Sequence, residues 1–203
     1  AVARALFDRA CEAGSGEGCV RAGQFAERAN DFDRAGTLYA TGCAARMSPA
    51  CEHLDSVAGR FEAGTAVHQD YGRAAAMYIP ACEAGNMRAC GRLGFLREFG
   101  FGLASDLALA SELNLRACNG GEADACTRLA TLHVNGRGVT ANLSRAGALY
   151  GQACAGGNAE GCYSLAMMMM IGRGVPMDFA GSNVLMRRAC QRGFQRACRA
   201  LEH

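Results

Sequence analysis

Apolar, small and cysteine residues recur along the chain in one fixed register. Counting back from Cys11, Cys43, Cys82, Cys118, Cys154 and Cys190, position −5 holds Leu6, Leu38, Met77, Leu113, Leu149 and Leu185. Position −4 holds Phe7, Tyr39, Tyr78, Asn114, Tyr150 and Met186, and position −8 holds Ala3, Ala35, Ala74, Ala110, Ala146 and Ser182. That spacing is the stripe of an amphipathic helix, termed helix B. Three residues beyond its cysteine stands Gly14, Gly85, Gly121, Gly157 or Gly193, with Arg46 as the exception. A glycine there fits a left-handed helix cap, which a side chain opposes.

A second cysteine, eight residues after the first, opens another helix, A: Cys19, Cys51, Cys90, Cys126, Cys162 and Cys198. Three residues on stands Leu54, Leu93, Leu129 or Leu165 (Ala22 in the first copy), usually followed by a small residue such as Gly94, Ala130 or Ala166. Helix A ends at Gly100, Gly136 or Gly172, and Gly136-Arg137-Gly138-Val139 and Gly172-Arg173-Gly174-Val175 turn the chain into the next helix B. From copy to copy the first cysteine advances by 32, 39, 36, 36 and 36 residues, the length of two helices and two turns. Ala29-Asn30-Asp31 shortens one turn and Gly64 to Gln69 lengthens the next. The pattern predicts an all-α protein, an α/α solenoid of antiparallel helix pairs wound into a right-handed superhelix. It makes residues 1–200 one domain of about five to six repeats, opening on a helix B and closing on a short capping helix A.

Helix A ending in Gly-x-Gly-Val, followed by Ala-x-x-Leu-Tyr-x-x-Ala-Cys-x-x-Gly, resembles the Sel1-like repeat, a relative of the tetratricopeptide repeat. The paired cysteines resemble the cysteine-rich, Hcp-type Sel1 proteins of bacterial envelopes, which link adjacent repeats by disulfides. The resemblance covers essentially the whole chain and is tightest from Cys82 to Cys198. It implies the pairs Cys11–Cys19, Cys43–Cys51, Cys82–Cys90, Cys118–Cys126, Cys154–Cys162 and Cys190–Cys198. A short glycine turn can bring the ends of helices B and A within the roughly 5–6 Å Cα separation of a disulfide. Zinc and free thiols are the other readings of twelve cysteines. Zinc modules usually show Cys-x-x-Cys or Cys/His clusters, and this chain has neither. Disulfides place the protein in the periplasm, cell envelope or secreted space, or alternatively in a mitochondrial intermembrane space.

Composition narrows the chemistry. A formal charge of +2 argues against a nucleic-acid partner. The chain has no lysine, which removes phosphate-loop, Schiff-base and Ser-x-x-Lys mechanisms together. His53, His68, His133 and His203 make no ligand pair, so neither metal nor cofactor is expected. The apolar run Leu165 to Ile171 is too short to span a bilayer. Ala1 reads as already inside a helix, downstream of a removed segment, and Leu201-Glu202-His203 reads as the start of a tag.

By resemblance, helix A lines the concave face of the superhelix. Offsets +3, +4 and +7 from its cysteine are expected in the core, and +1, +5, +8 and +9 in the groove. The groove sets are then Gly91, Phe95, Glu98 and Phe99; Thr127, Thr131, Val134 and Asn135; and Tyr163, Met167, Met170 and Ile171. Met167 to Met170 are consecutive, so one or two of them should leave the core. The end of the chain carries Arg187, Arg188, Arg192, Arg196 and Arg199 against few acids, read as a solvated face or a contact for an acidic partner or an anionic envelope polymer. The expected function is a scaffold that binds a protein or peptide through Phe95, Phe99, Thr131, Asn135, Tyr163, Met167, Met170 and Ile171. Some Hcp-type proteins are described as β-lactamases or penicillin binders, so a β-lactamase or a binder of β-lactams or peptidoglycan fragments is the alternative. That family has no motif-defined catalytic residue, so no catalytic position is assigned.

Overall fold

In a computed structural model residues 2–202 are described, and they form twelve helices and no strand. The expectations at Ala1 and His203 lie outside the described residues. Helices of type B are α1 (Val2–Glu12), α3 (Phe32–Ala44), α5 (Tyr71–Glu83), α7 (Leu107–Asn119), α9 (Leu143–Ala155) and α11 (Phe179–Gln191). Type A are α2 (Gly16–Arg28), α4 (Ser48–Ala63), α6 (Met87–Phe99), α8 (Ala123–Asn135), α10 (Ala159–Ile171) and the short α12 (Gln195–Ala200). They group into two compact units, Ala1–Ser105 and Asp106–His203, each an α/α-solenoid stack in which consecutive helices pack on one another.

The boundaries follow from side chains. Each helix B after the first begins at an Asp or Asn: the carboxylate or amide oxygens of Asp31, Asp70, Asp106, Asn142 and Asp178 accept from the backbone N–H three residues on. At the other end Gly14, Gly85, Gly121, Gly157 and Gly193 all have positive φ, and Arg46 is held in the same conformation at φ 60°. The turns this creates bring the paired cysteines to Cα separations of 4.4–4.7 Å, and all six bridges are formed within their own hairpins. No cysteine is left for zinc or for thiol chemistry.

Stacking is set by small residues where helices or turns approach closely. A Cβ on Gly23 would lie 2.4 Å from the Tyr39 ring, which is why the position after the helix A apolar residue stays small. In the three Gly-x-Gly turns from helix A to helix B, the second glycine lies against the first residue of the preceding helix B: Gly102 on Tyr71, Gly138 on Leu107, Gly174 on Leu143.

Two expectations about burial change. Leu96, Leu132 and Met168, at +6, are buried in α6, α8 and α10, while the +7 residues Arg97, His133 and Met169 are half-buried. An inner helix A contacts two helices B, as α10 contacts α9 and α11, so its buried arc is wider than a one-sided stripe. The +7 side chain folds over its own turn instead: Arg97 donates to the Ala104 carbonyl, and His133 Nδ1 lies 3.2 Å from the Thr140 carbonyl oxygen. In the first copy Leu6 is 57% exposed and Ala3 is exposed, because among the described residues no helix A precedes α1.

Candidate functional site

In unit 1 the expected pair Phe95 and Phe99 lies one turn apart on α6, with ring centroids 5.0 Å apart. Phe101, from the turn after α6, stacks on Phe99 at 5.8 Å and lies tilted to Phe95 at 5.7 Å. Tyr71, the first residue of α5, completes the cluster at 5.0 Å from Phe101. Gly102 sits against Tyr71, so the turn delivers Phe101 onto the start of α5. Phe99 is 49% and Phe101 38% exposed, so the cluster leaves adjoining aromatic surface in water.

Beneath this patch runs a polar network. The Arg92 guanidinium lies 5.7 Å from the Phe95 ring centroid and donates through Nε and a terminal nitrogen to Glu62. The Tyr78 hydroxyl donates to the same carboxylate at 2.7 Å. Burial first, and then the hydrogen bond to Glu62, push the Tyr78 phenol well above its ordinary pKa. Burial opposes the charge on Arg92, but its hydrogen bond and attraction to Glu62 prevail and raise its pKa. Between the first two helices A of the unit the same construction recurs: Tyr39 donates to Glu27 at 2.6 Å, and His53 stacks on Tyr39 at 4.9 Å. Each network ties a helix B tyrosine to the helix A before it and to the helix A after it.

Unit 2 keeps the construction in neutral form, with the Thr131 and Tyr150 hydroxyls 2.9 Å apart. Thr131 also donates to the Thr127 carbonyl one turn back in α8. Tyr163, Met167 and Met170 come together with Phe194, half-buried against a core of Cys154, Cys162, Ala166 and Met186. The Tyr163 and Phe194 rings are 5.1 Å apart, and the Arg196 guanidinium lies 5.4 Å above Tyr163. Of the four consecutive methionines Met168 is buried and Met167, Met169 and Met170 are half-buried. Asn135 and Ile171, like Phe99, are exposed last residues of their helices.

Glu98 and Thr127 are corrections: expected in the groove, both are buried. The Thr127 hydroxyl donates to the Ala123 carbonyl within its own helix. Sequence reasoning missed Phe101, Tyr71, Arg92 and Phe194. The available signal was that Phe101 replaces the arginine of the other Gly-x-Gly turns, and Tyr71 stands where Leu107 and Leu143 open their helices.

A cleft of ≈ 320 Å³ opens beside the long turn of unit 1, among Asp31, Asp33, His68, Asp70 and Arg73. Its acids are already committed: Asp31 and Asp70 cap helices, and Asp33 takes both its oxygens to Arg73 at 2.7 Å. Among the described residues no cluster of three His, Cys, Asp or Glu side chains could hold a metal. No helix among them is long and apolar enough to cross a membrane.

Comparison with known proteins completes the picture. The family described as Sel1 repeat matches residues 1–15, 58–86, 88–122, 123–158 and 159–194. No curated protein matches the sequence. Among solved structures, a protective antigen present in uropathogenic Escherichia coli strains, displaying an SLR fold, aligns with a TM-score of 0.74 at 22% identity. That alignment covers 96% of this chain and 42% of the antigen, so the chain spans less than half of it. A Sel1 repeat protein from Oxalobacter formigenes aligns with a TM-score of 0.71 at 21% identity over 91% of this chain and 76% of its own. Cysteine rich protein B of Helicobacter pylori shares 25% identity over 65% of this chain and 92% of its own, with a TM-score of 0.49.

Proposed function

Because the chain belongs to the Sel1-repeat family, a class of helical repeat scaffold, we propose that it binds a protein or peptide partner on its helix A faces, in the periplasm, the cell envelope or the secreted space. Six disulfides require an oxidising compartment. The observation that carries the binding reading is the cluster of Tyr71, Phe95, Phe99 and Phe101, which leaves Phe99 and Phe101 half in water on a braced scaffold. Aromatic side chains supply large contact area for little lost conformational freedom, and a preorganised set of them suits an anchor for a partner's apolar side chain. In unit 2 the half-buried group of Tyr163, Met167, Met170 and Phe194 supports the same role with softer side chains. Phe95, Thr131, Asn135 and Ile171 complete the proposed contact residues.

The experiment is a competition between the protein and its Phe99→Ser/Phe101→Ser and Tyr163→Ser/Met167→Ser variants for partners cross-linked in an envelope extract. Helical content and melting are checked in parallel. Loss of a discrete cross-linked species with either pair, the fold intact, supports the reading. Identical cross-linking by all three proteins moves the partner to another surface.

A further inference from the structure

The last helix pair of unit 2 has a charge distribution of its own. Residues 179–202 carry Arg187, Arg188, Arg192, Arg196 and Arg199 against one carboxylate, Glu202. In unit 1, Arg21, Arg34, Arg73, Arg88 and Arg92 each reach a carboxylate within ion-pair distance. Among the described residues none of these five arginines, four in α11 and α12 and Arg192 in the turn between them, has such a partner, and all five are exposed.

Two of them, Arg192 and Arg196, lie beside the Tyr163–Phe194 pair, and helical spacing places two more next to them. Arg192 donates to the Cys154 carbonyl at 2.8 Å and lies 3.6 Å from Cys162 Sγ. Arg196 lies over Tyr163, the next residue after Cys162. Arg188 is four residues before Arg192, and Arg199 three after Arg196 on α12, so each shares its neighbour's side. Like charges held together without a counterion repel, and an anion placed among them gains from every one. A guanidinium stacked on a ring keeps its in-plane N–H groups free for bidentate donation to a carboxylate.

We propose that this end of unit 2 receives the carboxylate side chains of an acidic peptide segment that also carries apolar residues. The inference rests on the reading that the helix A face binds a peptide, and it specifies that peptide's charge. Tyr163 and Phe194 are half-buried, which suits contact with the side chains of a docked chain rather than insertion into a lipid layer.

The test uses a fluorescein-labelled synthetic peptide alternating Glu with Leu and Phe, and the same peptide with Gln for Glu. Both are titrated by anisotropy against the unaltered protein, against Arg196→Gln/Arg199→Gln, and against Arg145→Gln on α9 as a control. The Glu peptide should bind, with the Gln peptide and the double variant each weaker by roughly tenfold, as two exposed charge pairs can supply. Raising the salt should weaken the Glu peptide and leave Arg145→Gln equal to the unaltered protein. Failure of the Glu peptide to bind, or equal binding to the double variant, overturns the proposal. So does tighter binding of polyphosphate or of phosphatidylglycerol vesicles than of the Glu peptide. If Glu and Gln peptides bind equally and Tyr163→Ser/Met167→Ser abolishes both, the carboxylate inference falls while peptide binding stands.

Discussion

Gly102 lies so close to Tyr71 that a Cβ at position 102 would come within 2.3 Å of the Tyr71 carbonyl carbon. Gly138 against Leu107 and Gly174 against Leu143 repeat the relationship at 2.3–2.5 Å, each at positive φ. Two costs therefore add on substitution, a left-handed backbone and a backbone clash. Gly138→Ala is expected to destabilise by about 2–4 kcal/mol in chemical denaturation. Gly102→Ala should additionally displace Phe101 from Tyr71 and weaken any partner held by the aromatic cluster.

Arg46 offers the opposite experiment. It occupies the left-handed cap that glycine fills in the other five copies, at φ 60°. Arg46→Gly should stabilise the protein by roughly 0.5–1 kcal/mol, the backbone penalty it removes less the entropy glycine adds to the unfolded chain. Gly121→Ala is the control, since a Cβ there meets nothing within 4 Å and only the conformational cost remains. It should destabilise by about 1 kcal/mol.

The repeat and its bridges were legible because both follow from spacing along one chain: eight residues within a pair and near 36 between pairs. Phe95 and Phe99 were legible for the same reason, as neighbours on a single helix. Phe101 and Tyr71 were not, because thirty residues separate them and only the approach of Gly102 brings them together. Offset +6 was missed because a periodic stripe assumes one buried side, whereas a helix A inside a stack has two. Thr127 was misplaced because it packs towards Gly161 at the start of the next helix A, a contact that a stripe within one helix does not show.

Asn114 stands where Tyr39, Tyr78 and Tyr150 stand in other copies, fully buried, and neither of its side-chain amide atoms has a hydrogen-bond partner. A leucine is nearly the same shape without the unmet polar atoms. Asn114→Leu should raise stability by roughly 1–3 kcal/mol, read as a higher denaturation midpoint at unchanged slope.

The tyrosine networks predict a limit at alkaline pH. Burial, more than any neighbour, raises the phenol pKa of Tyr39, Tyr78 and Tyr150 in the fold. The folded state then holds these protons more tightly than the unfolded chain, whose tyrosines ionise near 10. Their contribution to stability is complete below about pH 10 and is lost as pH rises beyond it. Phenolate absorbance from these three should appear together with loss of helical circular dichroism. Tyr78→Phe should lower stability at neutral pH by roughly 1.5–3 kcal/mol, the range for a hydrogen bond to a charged acceptor, and flatten this alkaline decline.

The bridges should act through the unfolded chain. Each closes a loop of about nine residues, for which chain entropy gives roughly 2.5 kcal/mol. Cys154 and Cys162 are buried, and Cys154→Ala/Cys162→Ala releases the loop while removing only the two sulfur atoms from the core. The double variant should lose about 2–3 kcal/mol at unchanged helical content. Mass spectrometry of the unreduced parent should find no alkylatable thiol, and proteolytic fragments should link each cysteine to the one eight residues away. Twelve reactive thiols, or bridges between distant repeats, would remove both the oxidising compartment and the covalent bracing on which the binding surfaces depend.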